Sequence, residues 1–92
     1  RLIDALVKAG IKPFVTLCHY DIPQVLDEKY GGWVNREMTD WFADYAQHMA
    51  RIYGDRVRHW ATINEPWCIA DGHYGGTHEP PGLGDPKAGI IG

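Results

Sequence analysis

Cysteine is scarce in this chain, with 2 in 92 residues, Cys18 and Cys68. Two cysteines so far apart make neither a disulfide framework nor a C-x-x-C metal or redox motif. Both are expected as reduced thiols packed in a core, the usual state of free cysteine. Long apolar runs are missing too: none exceeds a few residues, against the ~20 that a membrane-spanning helix requires. The 5 His show no H-E-x-x-H or other zinc spacing, so neither a metal nor another cofactor is expected. Positive charge is also short, 9 Lys+Arg against 12 Asp+Glu for a net charge of -3. That leaves no basic patch for nucleic acid and no polybasic stretch for an anionic membrane, so neither is expected as a partner.

What is present is ordinary for a globular chain, 45% hydrophobic and 23% charged residues. Aromatics are the exception: 4 Trp and 5 Tyr are many for this length, and such side chains gather in cores and at ligand-binding surfaces. The chain opens at Arg1 inside a helical pattern, without Met or a signal peptide, and closes on A-G-I-I-G without a helix stop. The expectation is one piece, residues 1–92, of a longer catalytic domain, with compartment and oligomeric state left open.

Leu2, Ile3, Leu6 and Val7 lie on one face of a helix predicted over residues 1–9, which Gly10 would stop. Pro13 introduces P-F-V-T-L-C-H-Y, a β-rich run suited to a buried strand. Residues 21–38 then read as a polar and aromatic loop with Pro23 and the Gly31-Gly32 pair. Trp41, Phe42, Tyr45, Ala46, Met49, Ile52 and Tyr53 repeat at helical spacing up to Gly54 and predict a helix with this stripe in the core. V-R-H-W-A-T-I-N reads as a second strand, and residues 65–92 as a second loop rich in Gly and Pro.

A strand, a crossover helix and a second strand make a parallel βαβ unit. Parallel sheets are covered on both faces or closed into barrels, and two strands complete neither. The predicted fold class is therefore α/β, part of a (β/α)8 barrel, a fold of ~250 residues whose active site lies on the loops after the strands. Here the loops after the strands are the long ones. His19 stands at the end of the first strand, Asn64 and Glu65 at the end of the second. Neighbouring strands lie about 4.8 Å apart, so the three side chains are expected to face one cavity.

A Glu shielded by aromatics such as Trp60 and Trp67 should have its pKa raised by desolvation, which suits a general acid. Asn64 is a neutral donor for a sugar hydroxyl, His19 a second polar contact, and Trp67 an aromatic face for a pyranose ring. Against this, a Glu before Pro also suits a solvated turn, and His19 a satisfied structural position. Asp21, two residues after His19, is either a second carboxylate or a loop cap. Trp60 fits core packing, and His48 and His59 surface or packing positions. Glycoside hydrolysis normally needs two carboxyl groups, and no persuasive partner for Glu65 is present. The residues alone point to half of a glycosidase site.

The blocks F-V-T-L-C-H-Y-D-I-P-Q-V-L-D-E-K-Y-G-G-W-V-N-R-E, F-A-D-Y-A-Q-H-M-A-R-I-Y-G-D-R-V-R-H-W-A-T-I-N-E-P-W and G-H-Y-G-G-T-H-E-P-P-G together resemble glycoside hydrolase family 1, the β-glucosidase family. The resemblance covers nearly the whole chain, in the family's order and spacing. It implies barrel strands three and four with the helix between them, and a retaining β-glycosidase acting on β-glucosides or related small carbohydrates. By resemblance, Glu65 falls on the general acid/base, Asn64 on the residue that binds the sugar 2-hydroxyl, His19 on a glycone-binding histidine, and Trp67 on an aglycone-side position. The 6-phospho-β-glycosidases of the family and a non-catalytic sugar-binding relative are the alternatives. Tyr20 stands where many members carry Trp, and T-H-E-P-P-G reads one residue longer than the commoner H-A-P-G. The family's nucleophile, a Glu in a T-E-N-G block, lies outside this sequence.

Overall fold

The computed structural model describes residues 1–91. Helix α1 spans Leu2–Lys8 and strand β1 Phe14–Cys18; α2, Gln24–Tyr30, and a 3-10 turn, Gly32–Val34, come next. Helix α3, Met38–Tyr53, leads to strand β2, His59–Ile63. A helical turn α4, Pro66–Cys68, runs into a π-helix over Ile69–Gly75, and α5, Pro86–Ile91, ends the described chain.

The strands pair in parallel, Phe14 opposite His59, Val15 opposite Trp60 and Cys18 opposite Ile63, with α3 as the crossover. The βαβ unit read from the sequence is present. β-Branched and aromatic residues dominate both strands, which suits a pleated, half-buried surface. The ladder continues one step, since the Asn64 N–H donates to the Cys18 carbonyl at 2.9 Å. That step carries the pairing to the two polar segments.

Two regions differ from the sequence reading. Residues 21–38 and 65–92 are not plain loops but contain α2, the 3-10 turn, α4, the π-helix and α5. These helices are short, at most 7 residues, too short for a periodic apolar stripe to stand out. Packing holds them. The small core joins Ile69 and Tyr74 of the π-helix to Ala88 of α5, with Tyr20, Trp33, Val34 and Ile63 packed around it. The Tyr74 hydroxyl accepts the Trp33 N–H at 2.9 Å, which ties the second segment to the first. The core therefore lies at the C-terminal ends of the strands, beneath the candidate site.

The α3 stripe is only half covered. Trp41, Phe42, Ala46, Met49 and Tyr53 are partly buried, while Tyr45 and Ile52 are exposed. The Tyr45 hydroxyl donates to the Leu17 carbonyl of β1 at 3.1 Å. Between them lies an apolar cavity of about 310 Å³, lined by Leu17, Ile22, Leu26, Met38, Trp41 and Phe42 among others. Phe14, on β1, is 69% exposed. The radius of gyration, 15.3 Å, exceeds the ~12 Å of a compact domain of this length, as two strands with one crossover helix would give. Among the described residues no helix is long and apolar enough to cross a membrane.

Candidate active site

Beyond the last paired positions, Cys18 and Ile63, the next residues are His19 and Asn64, and after them Tyr20 and Glu65. Parallel pairing thus delivers two matched pairs of side chains at one sheet end. The backbone changes sharply here: Tyr20 has φ 77° and Glu65 φ 41°, the two positive-φ residues other than glycine among those described. For a bulky L-residue this conformation costs about 1–3 kcal/mol, and such strain gathers at functional sites. Pro66 follows Glu65 at the first position of α4, where a fixed φ and a missing N–H are no loss. The turn therefore stops β2 and starts a helix in one step.

The two strained residues touch. The Tyr20 hydroxyl donates to Glu65 Oε2. Cys68, one helical turn beyond Glu65, brings its Sγ to 3.4 Å from the same oxygen. His19 packs edge-on against Tyr20, ring centroids 5.0 Å apart, and His73 tilts against it at 5.2 Å. The His73 Nδ1 sits 2.6 Å from the Pro80 carbonyl oxygen, which anchors that ring to the following loop.

These contacts reverse one expectation. Glu65 is exposed, and its pKa is lowered, first by the Tyr20 hydroxyl, then by the Cys68 thiol. Desolvation opposes them without prevailing. The aromatics expected to shield it are turned elsewhere: Trp67 is 74% exposed, and Trp60 donates its indole N–H to the Val57 carbonyl at 3.2 Å. Tyr20 responds reciprocally, its pKa pushed up to about 12 by the carboxylate it serves. The Cys68 thiol is raised, chiefly by Glu65.

Two cavities flank the pair. One, of about 470 Å³, is lined by His19, Tyr20, Asp21, Trp33, His73 and Tyr74 among others. The other, of about 320 Å³, is lined by Tyr20, Trp67, Cys68, Asp71, His73 and Glu79 among others. Tyr20 and His73 belong to both, so their paired rings form a shared wall. Glu65 lines neither and reaches them only through Tyr20 and Cys68. Asn64 is half-buried, with its backbone N–H committed to the sheet.

Of the residues singled out from sequence, His19, Asn64 and Glu65 lie together at the sheet end, and Trp67, two residues past Glu65, lines the smaller cavity. Asp21 lies in the wall of the larger cavity, and its backbone carbonyl faces the Cys18 thiol at 3.8 Å. Tyr20, Cys68 and His73 were missed as a group. Cys18 is buried as expected, but Cys68 is only partly so and sits on Glu65. The signal for Cys68 was the three-residue step from Glu65, which becomes adjacency once Pro66 starts a helical turn. Among the described residues no group of three or more His, Cys, Asp or Glu could hold a metal ion.

Comparison with known proteins gives a consistent picture. The model of the family described as glycosyl hydrolase family 1 matches residues 1–90. Beta-glucosidase A of Thermotoga maritima is 52% identical over 81 residues, 87% of this chain and 18% of that protein. Beta-glucosidase 6 of Oryza sativa subsp. japonica is 50% identical over 82 residues, 89% of this chain and 16% of that protein. Among solved structures, the psychrophilic beta-glucosidase of Micrococcus antarcticus superposes with a TM-score of 0.94 at 43% identity, over 99% of this chain and 19% of that one. The family 1 beta-glucosidase of Thermotoga maritima gives 0.92 at 46% identity, over 99% and 20%. The chain spans about a fifth of the length of these relatives, and its fold is an α/β part of a (β/α)8 barrel.

Proposed function

The chain belongs to glycosyl hydrolase family 1, and from that premise we propose that it carries half the active site of a retaining β-glucosidase, with Glu65 as general acid/base. In this reading Glu65 protonates the glycosidic oxygen as a carboxylate from elsewhere in the barrel attacks the anomeric carbon. It then takes a proton from the water that releases the sugar. Asn64 holds the 2-hydroxyl, His19 a second glycone hydroxyl, and Trp67 lines the aglycone side. The relatives named beta-glucosidase at about half identity favour a terminal β-glucosyl substrate. The observation that carries the reading is the register, which delivers His19 and Asn64, then Tyr20 and Glu65, to one end of a parallel sheet, where barrels keep their catalytic groups.

The lowered pKa of Glu65 fits one half of this cycle. A carboxylate held by two donors is the base form, ready to accept a proton from water. The acid form needs the opposite push, and a second carboxylate about 5–5.5 Å away supplies it, because a like charge so close disfavours ionisation of Glu65 and raises its pKa.

The test is Glu65→Gln in a complete barrel carrying this segment. Turnover of an alkyl glucoside should fall by roughly 10²–10⁴, the usual contribution of a general acid or base. A dinitrophenyl glucoside, whose leaving group needs little protonation, should lose far less in the first step. Azide should then restore turnover by attacking the intermediate, with β-glucosyl azide as the product. Undiminished hydrolysis of the alkyl glucoside would remove Glu65 from the role.

A further inference from the structure

Both donors near Glu65 converge on one of its oxygens. The Tyr20 hydroxyl and the Cys68 thiol address Oε2, and no side-chain donor among the described residues addresses Oε1. We propose that Tyr20 and Cys68 are positioning residues that clamp the carboxyl group through Oε2 and leave Oε1 as the oxygen that gives and takes the catalytic proton. The proposal rests on Glu65 being the acid/base and adds what makes it so: which atom works and what aims it.

A carboxyl group whose Oε2 accepts two hydrogen bonds carries its own proton on the other oxygen, since a protonated Oε2 would turn a donor against the donors facing it. In the first half-reaction the Oε1–H bond breaks and the proton bonds to the glycosidic oxygen. The bond from the anomeric carbon to that oxygen breaks, its electron pair staying with the departing alcohol, as a carboxylate from elsewhere in the barrel donates an electron pair to form a bond to that carbon. The negative charge left on Glu65 strengthens both hydrogen bonds at Oε2 as it forms, because charge-assisted bonds are the stronger kind. In the second half-reaction a water oxygen bonds to the anomeric carbon, its proton returns to Oε1, and the carboxylate nucleophile leaves with its electron pair.

The clamp is built into the backbone. Tyr20 and Glu65 both hold the left-handed conformation, and α4 fixes Cys68 one turn past Glu65. His19 and His73 brace the Tyr20 ring on two sides. The ionisable groups around this cluster are His19 and Asp21 just past β1, Asp27 from α2, Cys68 from α4, and Asp71, His73, Tyr74 and Glu79 from the segment beyond it. Tyr20 and Cys68 favour the Glu65 carboxylate most, with His19 adding to them.

The experiment is the pH dependence of kcat/KM for an alkyl glucoside in the complete barrel, comparing the parent with Tyr20→Phe, Cys68→Ala and Cys68→Ser. Removing the Tyr20 hydroxyl should move the alkaline limb, where the acid is lost, to higher pH, and lower the plateau roughly tenfold, part of what general acid catalysis supplies. Cys68→Ala should move the limb the same way by less, and Cys68→Ser, which keeps a donor, should restore it. Should Tyr20→Phe fail to fold, the two Cys68 variants are read alone by the same criterion. A limb that stays in place or moves down overturns the clamp, whatever happens to the plateau. The two failures are told apart by Glu65→Gln: if it hydrolyses the alkyl glucoside as fast as the parent, the acid/base reading falls and the clamp with it, whereas an impaired Glu65→Gln beside an unmoved limb removes the clamp alone.

Discussion

Tyr20 and Glu65 hold one another, hydroxyl to carboxylate, across the ends of two parallel strands, each from a backbone conformation its side chain disfavours. The bond resists deprotonation of Tyr20, whose pKa stands at about 12. A pKa raised on folding contributes stability that is complete below the ordinary value and lost as pH rises through the folded one. For Tyr20 that window runs from the ordinary 10.0 to about 12. Ultraviolet titration of the tyrosines in the complete barrel should therefore show, distinct from that of Tyr74, whose pKa burial also raises, a late phenolate that is lost in Tyr20→Phe. In Glu65→Gln it should move back toward the ordinary value. A Tyr20 that titrates with the other tyrosines in the parent would mean the hydrogen bond does not persist in solution.

Glu65 carries the same linkage with the opposite sign. Its pKa is lowered from the ordinary 4.5 by Tyr20 and Cys68, so its contribution is present above that value and lost as pH falls below it. Tyr20→Phe should flatten this acid-side loss of thermal stability, and the melting midpoint followed from neutral to acid pH is the measurement. Parallel curves for parent and variant would show that Glu65 draws nothing from the tyrosine.

Cys68 should be a slow thiol. Its pKa is raised chiefly by the neighbouring carboxylate, and the thiolate is the reactive form. Alkylation by iodoacetamide at mildly alkaline pH should be slower than for an unhindered free thiol, and faster in Glu65→Gln, where the charge is gone. Mass spectrometry separates Cys68 from the buried Cys18. Equal rates in parent and variant would break the link.

How much of this was legible in the residues depends on the length over which each signal repeats. The strands and α3 were, because V-T-L and W-A-T-I are β-rich and the apolar stripe recurs from Trp41 to Tyr53 through a helix of 16 residues. The placement of His19, Asn64 and Glu65 at one sheet end followed from parallel pairing, but the single cavity expected for them did not: His19 lines the larger cavity, and Asn64 and Glu65 line neither of the two. The short helices after each strand were not, since glycine and proline there mimic loops and packing on Tyr74 and Ala88 decides the outcome. The direction of the Glu65 pKa also failed, for a related reason. Counting nearby tryptophans says nothing about where they point, whereas the hydroxyl that reaches Glu65 comes from a residue 45 positions away.

Gly32 should tolerate no side chain. Its φ is +56°, and a Cβ there would come within 2.3 Å of the Tyr74 hydroxyl oxygen, with Ile22 and Asp27 also close. That hydroxyl is pinned, since it accepts the Trp33 N–H at 2.9 Å on a residue 1% exposed. Gly32→Ala in the complete barrel should cost about 1–3 kcal/mol from backbone strain and overpacking, seen as a lower denaturant midpoint. Adding Tyr74→Phe removes the clash but orphans the Trp33 N–H, so the double variant should regain only part of the loss. A neutral Gly32→Ala would mean that the Tyr74 anchor can move.

The last expectation concerns the 92-residue chain alone. Its sheet has two strands and therefore two unpaired edges, and an edge left open is a site for pairing with other chains. The α3 face is half covered over the apolar cavity beside β1, and Leu2 and Phe14 are 73% and 69% exposed. The buried apolar side chains are few, Cys18, Met38, Val57, Ile69, Tyr74 and Ala88. Two strands with one crossover helix leave too little burial to offset the entropy of ordering the chain. The isolated chain should melt without a sharp transition, bind a hydrophobic dye at low temperature and associate as its concentration rises. Supplying the remaining barrel segments in trans should quench the dye signal. A cooperative, concentration-independent melt of the chain alone would show that the cluster around Tyr74 folds without the rest of the barrel.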